Sequence, residues 1–456
     1  MPKQLAIALF TALIIWLWRC DSKFRPQFSR ALWIPLIWLI LLGSRPLGWW
    51  VWFYTGLSFG NYSELEGSPI DRYFYSCLIV ASVVILHRRS LSWPLAIKAN
   101  IGIFFFTAFL AITILWSEFP YQTTKRWIKE AGAIPVLLLI LTESRPLDAL
   151  KQVFTRCALV LFPLSLLTIK YIPEIGRSYS PSGGEPQVTG ITTQKNTLGE
   201  IVIVFGLIIF WQLRSNFSLK NLLKSPQLQW TITGIIAIWL LIQSDSKTAV
   251  VCFGLGLVLL QTHHLDILNY RKKLILFSLF VILPLMYAAD STLGISRHVL
   301  GMLDRDTTLT NRTSIWEAIK KQPADPIFGS GFLNYWDIYQ GITLDGEVIN
   351  TITAHNGYLD IYLDGGFLGL VTLGVMLIHV GRTQSKLFLT KDIFGPFCLS
   401  VFCITLLANI TESIFARRGP LWSVFILCAL YAGMFRKPAL GNPEFPAGDD
   451  GNPSAS

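Results

Sequence analysis

Leu5-Ala6-Ile7-Ala8-Leu9-Phe10-Thr11-Ala12-Leu13-Ile14-Ile15-Trp16-Leu17-Trp18 is an apolar run that stops on Arg19, with Lys23, Arg25 and Arg30 close behind it. Hydrocarbon offers the backbone no hydrogen-bond partner, so such a run crosses a bilayer as a helix that pairs its own N–H and C=O groups. It is Trp-rich, has only Lys3 before it and lacks a small-x-small cleavage site, which marks an uncleaved anchor rather than a secretion signal. The basic cluster assigns the next loop to the cytoplasm and the N-terminus to the outside.

The same pattern repeats outward from this segment. Apolar runs lie near 4–18, 31–43 (tilting on toward 57), 73–87, 94–115, 127–141, 153–170, 197–213, 229–243, 248–263, 274–289, 356–380, 393–410 and 420–435. They predict about thirteen spans, within a range of about 12–14. The loops then expected in the cytoplasm carry Arg88, Arg89 and Lys98; Arg145 and Lys151; Arg214, Lys220 and Lys224; Arg271, Lys272 and Lys273; Arg382, Lys386 and Lys391; and Arg436 and Lys437. Every one is basic. The segments expected outside, 44–72, 116–126, 171–196, 244–247, 290–355 and 411–419, are mixed in sign.

The expected fold is an all-α, polytopic membrane helical bundle with a long extracytoplasmic loop containing short amphipathic helices. Its parts are N-terminal transmembrane helices (1–192), central transmembrane helices (193–289), the large outer loop (290–355), C-terminal transmembrane helices (356–435) and a disordered cytoplasmic tail (436–456). The tail is rich in Gly, Pro, Asp and Ser, with too few apolar residues to offset the entropy of ordering.

Composition agrees with this reading. Of 456 residues, 52% are hydrophobic and 14% charged, against about 25% charged in soluble domains, which excludes a soluble globular fold. The formal charge of +10 is scattered through short loops, a pattern of membrane topology and anionic lipid-phosphate partners, not of nucleic acid. Seven cysteines show neither a CxxC pair nor Cys/His ligand spacing and read as packing residues.

Polar residues gather on the outer side. Lys195 and Asn196 open one span, where a cation and an amide at a helix N-terminus suit a phosphate; a snorkelling lysine with Thr/Asn caps fits the same residues. Gln243-Ser244-Asp245-Ser246-Lys247-Thr248 is a tight turn whose Ser and Asp are ordinary turn formers, while Lys247 faces either headgroups or a central site. Ser314 and Glu317 have capping-box spacing, and Ile315, Trp316 and Ile319 share a face, which predicts a short helix near the membrane. Arg312 at its start opposes the helix dipole, which favours a role in binding an anion.

Pro326-Ile327-Phe328-Gly329-Ser330-Gly331-Phe332 reads as a turn for close backbone approach. His355, Asn356, Asp360 and Asp364 enter the next span together, with the aspartates stacked at i, i+4; carboxylates entering lipid must face protein or water. His355 suits the role of base or hydrogen-bond donor near neutrality. Glu412, Arg417 and Arg418 read most simply as a solvated loop with an ion pair.

This ordered set resembles the superfamily of O-antigen ligases and Wzy-type polysaccharide polymerases, and within it the exopolysaccharide polymerases. The resemblance is carried by Leu115-Trp116-Ser117-Glu118, Thr193-Gln194-Lys195-Asn196-Thr197-Leu198-Gly199, Ser246-Lys247-Thr248-Ala249, Asn311-Arg312-Thr313-Ser314-Ile315-Trp316, Gly329-Ser330-Gly331-Phe332 and Ala354-His355-Asn356-Gly357-Tyr358-Leu359, over roughly residues 115–380. It departs from many ligases in having Lys247 where they have arginine, and from the exopolysaccharide branch in having Gln194 where histidine is frequent.

The resemblance implies a glycosyltransferase in a bacterial inner membrane with its active site on the extracytoplasmic face. The donor would be a glycan on undecaprenyl pyrophosphate; the acceptor, a saccharide in a polymerase or a lipid in a ligase. Membrane lipids and a chain-length regulator are the further partners it suggests. Arg312 would grip the pyrophosphate and His355 would activate the acceptor, as catalytic residues. Lys195, Asn196, Ser246, Lys247, Asn356, Asp360, Arg417 and Arg418 would bind substrate. The reaction expected is an inverting displacement in which fixed cations stabilise the leaving pyrophosphate, with no metal and no cofactor. A transporter or flippase for a lipid-linked sugar, or a structural subunit of an export complex, are the rival readings of the same cationic bundle.

Overall fold

The computed structural model describes residues 1–24, 29–57, 68–179, 186–215, 227–261, 312–339, 342–344, 347–349, 351–390 and 392–435. The first helices are α1 (Lys3–Phe24), α2 (Trp33–Leu42), α3 (Leu47–Thr55), α4 (Pro69–Arg88) and α5 (Trp93–Ala99). Then come α6 (Ile101–Ile112), extended by a 3-10 turn to Trp116, α7 (Pro120–Ala131), α8 (Ala133–Leu141), α9 (Pro146–Tyr171) and the single turn α10 (Pro173–Gly176). α11 (Lys195–Ile201) runs through a π turn, Val202–Gly206, into α12 (Leu207–Ser215), followed by α13 (Gln227–Gln243) and α14 (Lys247–Gln261). The remainder is α15 (Arg312–Lys321), α16 (Tyr335–Ile338), α17 (Gly357–Leu389), α18 (Gly395–Ala408) and α19 (Pro420–Phe435). Strand among the described residues is confined to two antiparallel hairpins, β1 (Arg177–Tyr179) with β2 (Pro186–Val188) and β3 (Ile342–Leu344) with β4 (Glu347–Ile349); Arg177 faces Val188 and Ile342 faces Ile349.

The protein is a polytopic helical membrane protein. Among the described residues, five helical stretches are long and apolar enough to cross a bilayer alone, or seven if two bent pairs each count as one; α13, α14, α18 and α19 are shorter apolar helices. Each expected apolar run falls on a helix except 274–289, which lies outside the described residues, as does the tail 436–456.

Two runs are not straight. The run 94–115 breaks at Asn100 (φ −125, ψ 34), and α5 lies at 96° to α6. Asn100 is buried: its Nδ2 donates to Ala96 O (3.1 Å), and its Oδ1 fills the space at Gly433, where a Cβ would fall 2.1 Å away. A polar amide in a tight crossing thus replaces a helical turn. The run 31–57 bends by 70° between α2 and α3, where Pro46 has no N–H to continue the ladder.

α8 is buried on every side, as befits a helix that is apolar all round, and with α9, α12, α18 and α19 it forms the core. Phe394, Phe397 and Trp211 pack together toward one end, and Phe402, Trp422 and Phe425 farther along. Loops expected to share a side do meet. Ser29 Oγ donates to Glu143 (2.5 Å), which Arg89 Nη2 also approaches at 2.5 Å. At the other end Arg45 Nη2 donates to Ile175 O (2.9 Å).

Candidate active site

Asp360 organises the site. Its carboxylate is 0% exposed and accepts from Trp336 Nε1 (3.1 Å), Ala354 N (3.1 Å) and Ser413 Oγ, and it pairs with Arg417 Nη2 at 3.0 Å. The aspartate on the first turn of α17 thereby joins three separate chain segments. Asn356 caps the same helix, its Oδ1 accepting from Leu359 N (3.0 Å). Gly357 N donates to the carbonyls of Asn409 (2.9 Å) and Glu412 (3.0 Å), and a side chain there is excluded because a Cβ would fall 1.8 Å from Asn409 Oδ1. Asn409 Oδ1 in turn accepts from Ile414 N and Phe415 N, both at 3.0 Å.

His355 sits on the turn so fixed, with φ +49, a left-handed conformation uncommon for a residue with a side chain. Its Nδ1 lies 3.7 Å from Glu412 Oε2, the same oxygen that accepts from Asn196 Nδ2 at 2.8 Å. The hydroxyls of Thr248 and Thr411 stand 2.8 Å apart, which brings the start of α14 to the same place. The starts of α11, α14 and α17 thus converge on residues 411–412.

Beside this group lies a nearly buried cation. Arg417, 9% exposed, spends Nη2 on Asp360 and Asp364 (3.0 and 3.4 Å), while its Nε and Nη1 have no hydrogen-bond partner among the described residues. Ala416 and Arg418 on either side are both at φ +53, so the turn is strained around it. Arg418 is partly buried, and burial pulls its guanidinium below the usual arginine range, opposed by Glu130 and Tyr75 nearby. The simple reading of 412–418 as a solvated loop is corrected: the aspartates that pair with Arg417 arrive from α17, fifty-odd residues away in sequence.

Segment 312–339 packs onto the bundle. On α15, Ile315, Ala318 and Ile319 are buried while Glu317 and Lys320 are exposed, as the amphipathic pattern predicts. Trp316 Nε1 donates to Ala354 O (2.9 Å), next to His355. Arg312 enters by position alone: it opens α15 one turn before Trp316, on the same face.

The turn 326–331 is spliced into α17, which is broken at Gly366 (φ 60, ψ −156). Ser330 N donates to Leu363 O and Gly331 N to Asp364 O, both at 2.9 Å; Phe367 N and Leu368 N donate to Pro326 O (2.8 Å) and Ile327 O (3.2 Å). The close backbone approach expected at Gly329 is present: a Cβ there would fall 2.5 Å from Gly365 N.

The other sequence-predicted residues are placed as follows. Lys195 is partly buried and opens α11. Lys247 is exposed and opens α14, while Ser246 is buried and its Oγ accepts from Ala249 N (3.4 Å) as a helix cap. Asp360 has its carboxylate occupied by protein donors, so its place is that of a support rather than of a substrate ligand.

Sequence reasoning missed Asn409 and Trp336, and gave Trp116 and Ser117 no task. Those two clamp the segment 312–339: Trp116 Nε1 donates to Phe328 O (2.9 Å) and Ser117 Oγ accepts from Asn334. Arg126, also missed, lies 2.5 Å from both Asp337 Oδ2 and Leu333 O. A buried arginine beside an apolar run was the available signal. The chain also contains Asp304-Arg305-Asp306, an Asp-x-Asp spacing outside the described residues, so the expectation of metal independence rests on the cations alone.

Residues 232–374 match a family model described as O-antigen ligase. This stretch takes in Lys247, Arg312, His355 and Asp360, while Asn196, Glu412 and Arg417 fall outside it. The chain is also 26% identical over 303 residues to the exopolysaccharide production protein ExoQ of Rhizobium meliloti (strain 1021), a match spanning 64% of this chain and 66% of that protein. The matched stretch carries the motifs at 246–249, 311–316, 329–332 and 354–359, and the chain is similar over it to the O-antigen ligase family and, more widely, to ExoQ.

Proposed function

We propose that the protein is a membrane glycosyltransferase of exopolysaccharide assembly. It transfers a glycan from undecaprenyl pyrophosphate to the hydroxyl of a saccharide acceptor at the outer face of a bacterial inner membrane. The acceptor oxygen attacks the anomeric carbon, the bond to the pyrophosphate breaks, and the hydroxyl proton passes to His355, with inversion. The diphosphate is a competent leaving group, so the chain must supply cations for the departing charge and a base near the attacking oxygen. Arg312 and Arg417 serve the first need, with Lys195 and Lys247 at neighbouring helix starts; His355 serves the second, backed by Glu412.

The observation that carries this reading is the pairing of an imidazole with a carboxylate (3.7 Å) beside a guanidinium whose buried Nε and Nη1 have no hydrogen-bond partner among the described residues. A cation with two unmatched donors, held by two aspartates, suits an incoming phosphate oxygen. The test uses purified full-length protein, synthetic lipid-linked donor and oligosaccharide acceptor. Product should form with the chain as it is and be lost in His355→Ala and in Arg312→Ala. Product formation undiminished in both variants overturns the proposal. The ligase reading is favoured by the description of the matched family model; cells lacking the protein separate the two, accumulating single lipid-linked repeats for a polymerase and lipid-linked polymer for a ligase.

A further inference from the structure

The turn Pro326–Phe328 presents its side chains outward: Ile327 is 53% and Phe328 46% exposed. They adjoin two other exposed apolar residues, Leu115 (84%) beside Trp116 and Phe367 (59%) on α17. In a water-facing turn, backbone groups can be left to solvent. Here they are all used within the protein. Ile327 N and Phe328 N donate to Asp325 Oδ1 (2.9 and 2.8 Å), and Pro326 has no N–H. The carbonyls of 326 and 327 accept from Phe367 N and Leu368 N, and that of 328 from Trp116 Nε1. Non-helical backbone persists at membrane depth only when its polar groups are satisfied by protein.

The geometry points to a lipid-facing wedge: Ile327 and Phe328 insert among the acyl chains of the leaflet on the active-site side, holding the outer segment at membrane level. Three observations agree. The backbone is closed to water, the side chains are apolar and exposed, and the turn is continuous with α17, whose lipid-facing flank continues through the exposed Phe367, Val371 and Val375. Asp325 sets the depth. Its carboxylate is exposed and must stay among headgroups, so the wedge reaches only the headgroup–acyl boundary. This inference needs the membrane-protein fold and not the glycosyl-transfer reading.

The test uses full-length protein in phospholipid vesicles, with the two cysteines that are not buried removed (Cys20→Ala, Cys77→Ala) and a single environment-sensitive fluorophore attached at Phe328→Cys. Glu317→Cys, on the exposed face of α15, is the control. The 328 label should lose about twofold in intensity to nitroxide-bearing acyl chains and little to aqueous iodide, with the 317 label showing the reverse. Ile327→Cys repeats the measurement should the first variant fail to fold. Iodide quenching at 328 and 327 equal to that at 317 overturns the wedge. So does shielding from both quenchers that disappears on diluting the protein in the membrane, which would mean a protein partner.

Discussion

His355 holds a left-handed turn because Asp360, one turn inside α17, accepts the N–H of Ala354 immediately before it. A left-handed backbone at a residue with a side chain costs about 1–3 kcal/mol and persists only where neighbours over-determine it. Asp360→Ala strips a buried partner from Trp336, Ala354, Ser413 and Arg417 together. It should destabilise by about 3–5 kcal/mol, the usual effect of leaving a buried charge uncompensated. Thermal unfolding in detergent checks this, with Asp364→Asn as the milder comparison because one of its oxygens has no hydrogen-bond partner among the described residues; equal shifts would remove Asp360 as the hub. Glu412 and Arg417 separate by kinetics. Glu412→Gln should lower kcat about 10-fold or more with donor KM nearly unchanged, since it acts through the base. Arg417→Lys should raise donor KM, because lysine loses the planar fork. A Glu412→Gln effect confined to KM would exclude its role behind His355.

At the scale of elements, the decisive feature is the splice between the turn 326–331 and the break in α17. Gly366 has φ +60 and a Cβ there would fall 2.3 Å from Ile327 O; Gly374, farther along the same helix, has open space around it. Gly366→Ala should lower the melting temperature, whereas Gly374→Ala should be neutral or stabilise by up to about 1 kcal/mol from helix propensity alone. Thermal scans of the two variants side by side check this, and equal destabilisation would mean the break is not selected. Much of this level was legible in the sequence. The Gly-x-Gly turn announced close approach, Ile315, Trp316 and Ile319 announced the amphipathic helix, and the apolar runs announced the helices. What could not be read was the partner of each signal. Nothing local to Gly329 names Gly365, and nothing near Arg417 names Asp360, because helical packing brings them together across long stretches of chain. Asn100 failed differently: a single amide inside an apolar run reads as tolerated, and only its crossing with Gly433 makes it a break.

The whole molecule has two polar ends, and the chemistry proposed requires a particular one to face outward. Ser29, Arg89 and Glu143 tie the basic loops together at one end, while Asn196, Thr248, His355 and Glu412 meet at the other. Anionic headgroups and the insertion machinery retain basic loops in the cytoplasm, which is the ground for the proposed orientation, with the Arg88–Arg89 loop inside and the His355 end outside. In that orientation the proposed lipid-linked donor, once flipped across the membrane, would reach the site and its pyrophosphate would meet cations without a further translocation step. Lys247→Cys and Arg88→Cys are both exposed reporters at opposite ends and can be built in the Cys20→Ala, Cys77→Ala background. In intact spheroplasts a membrane-impermeant maleimide should label the first and spare the second until the membrane is permeabilised. The reverse pattern would turn the imidazole and its carboxylate toward the cytosol, where a polymerase acting on exported repeats has no substrate, and the proposed transfer would fall with it.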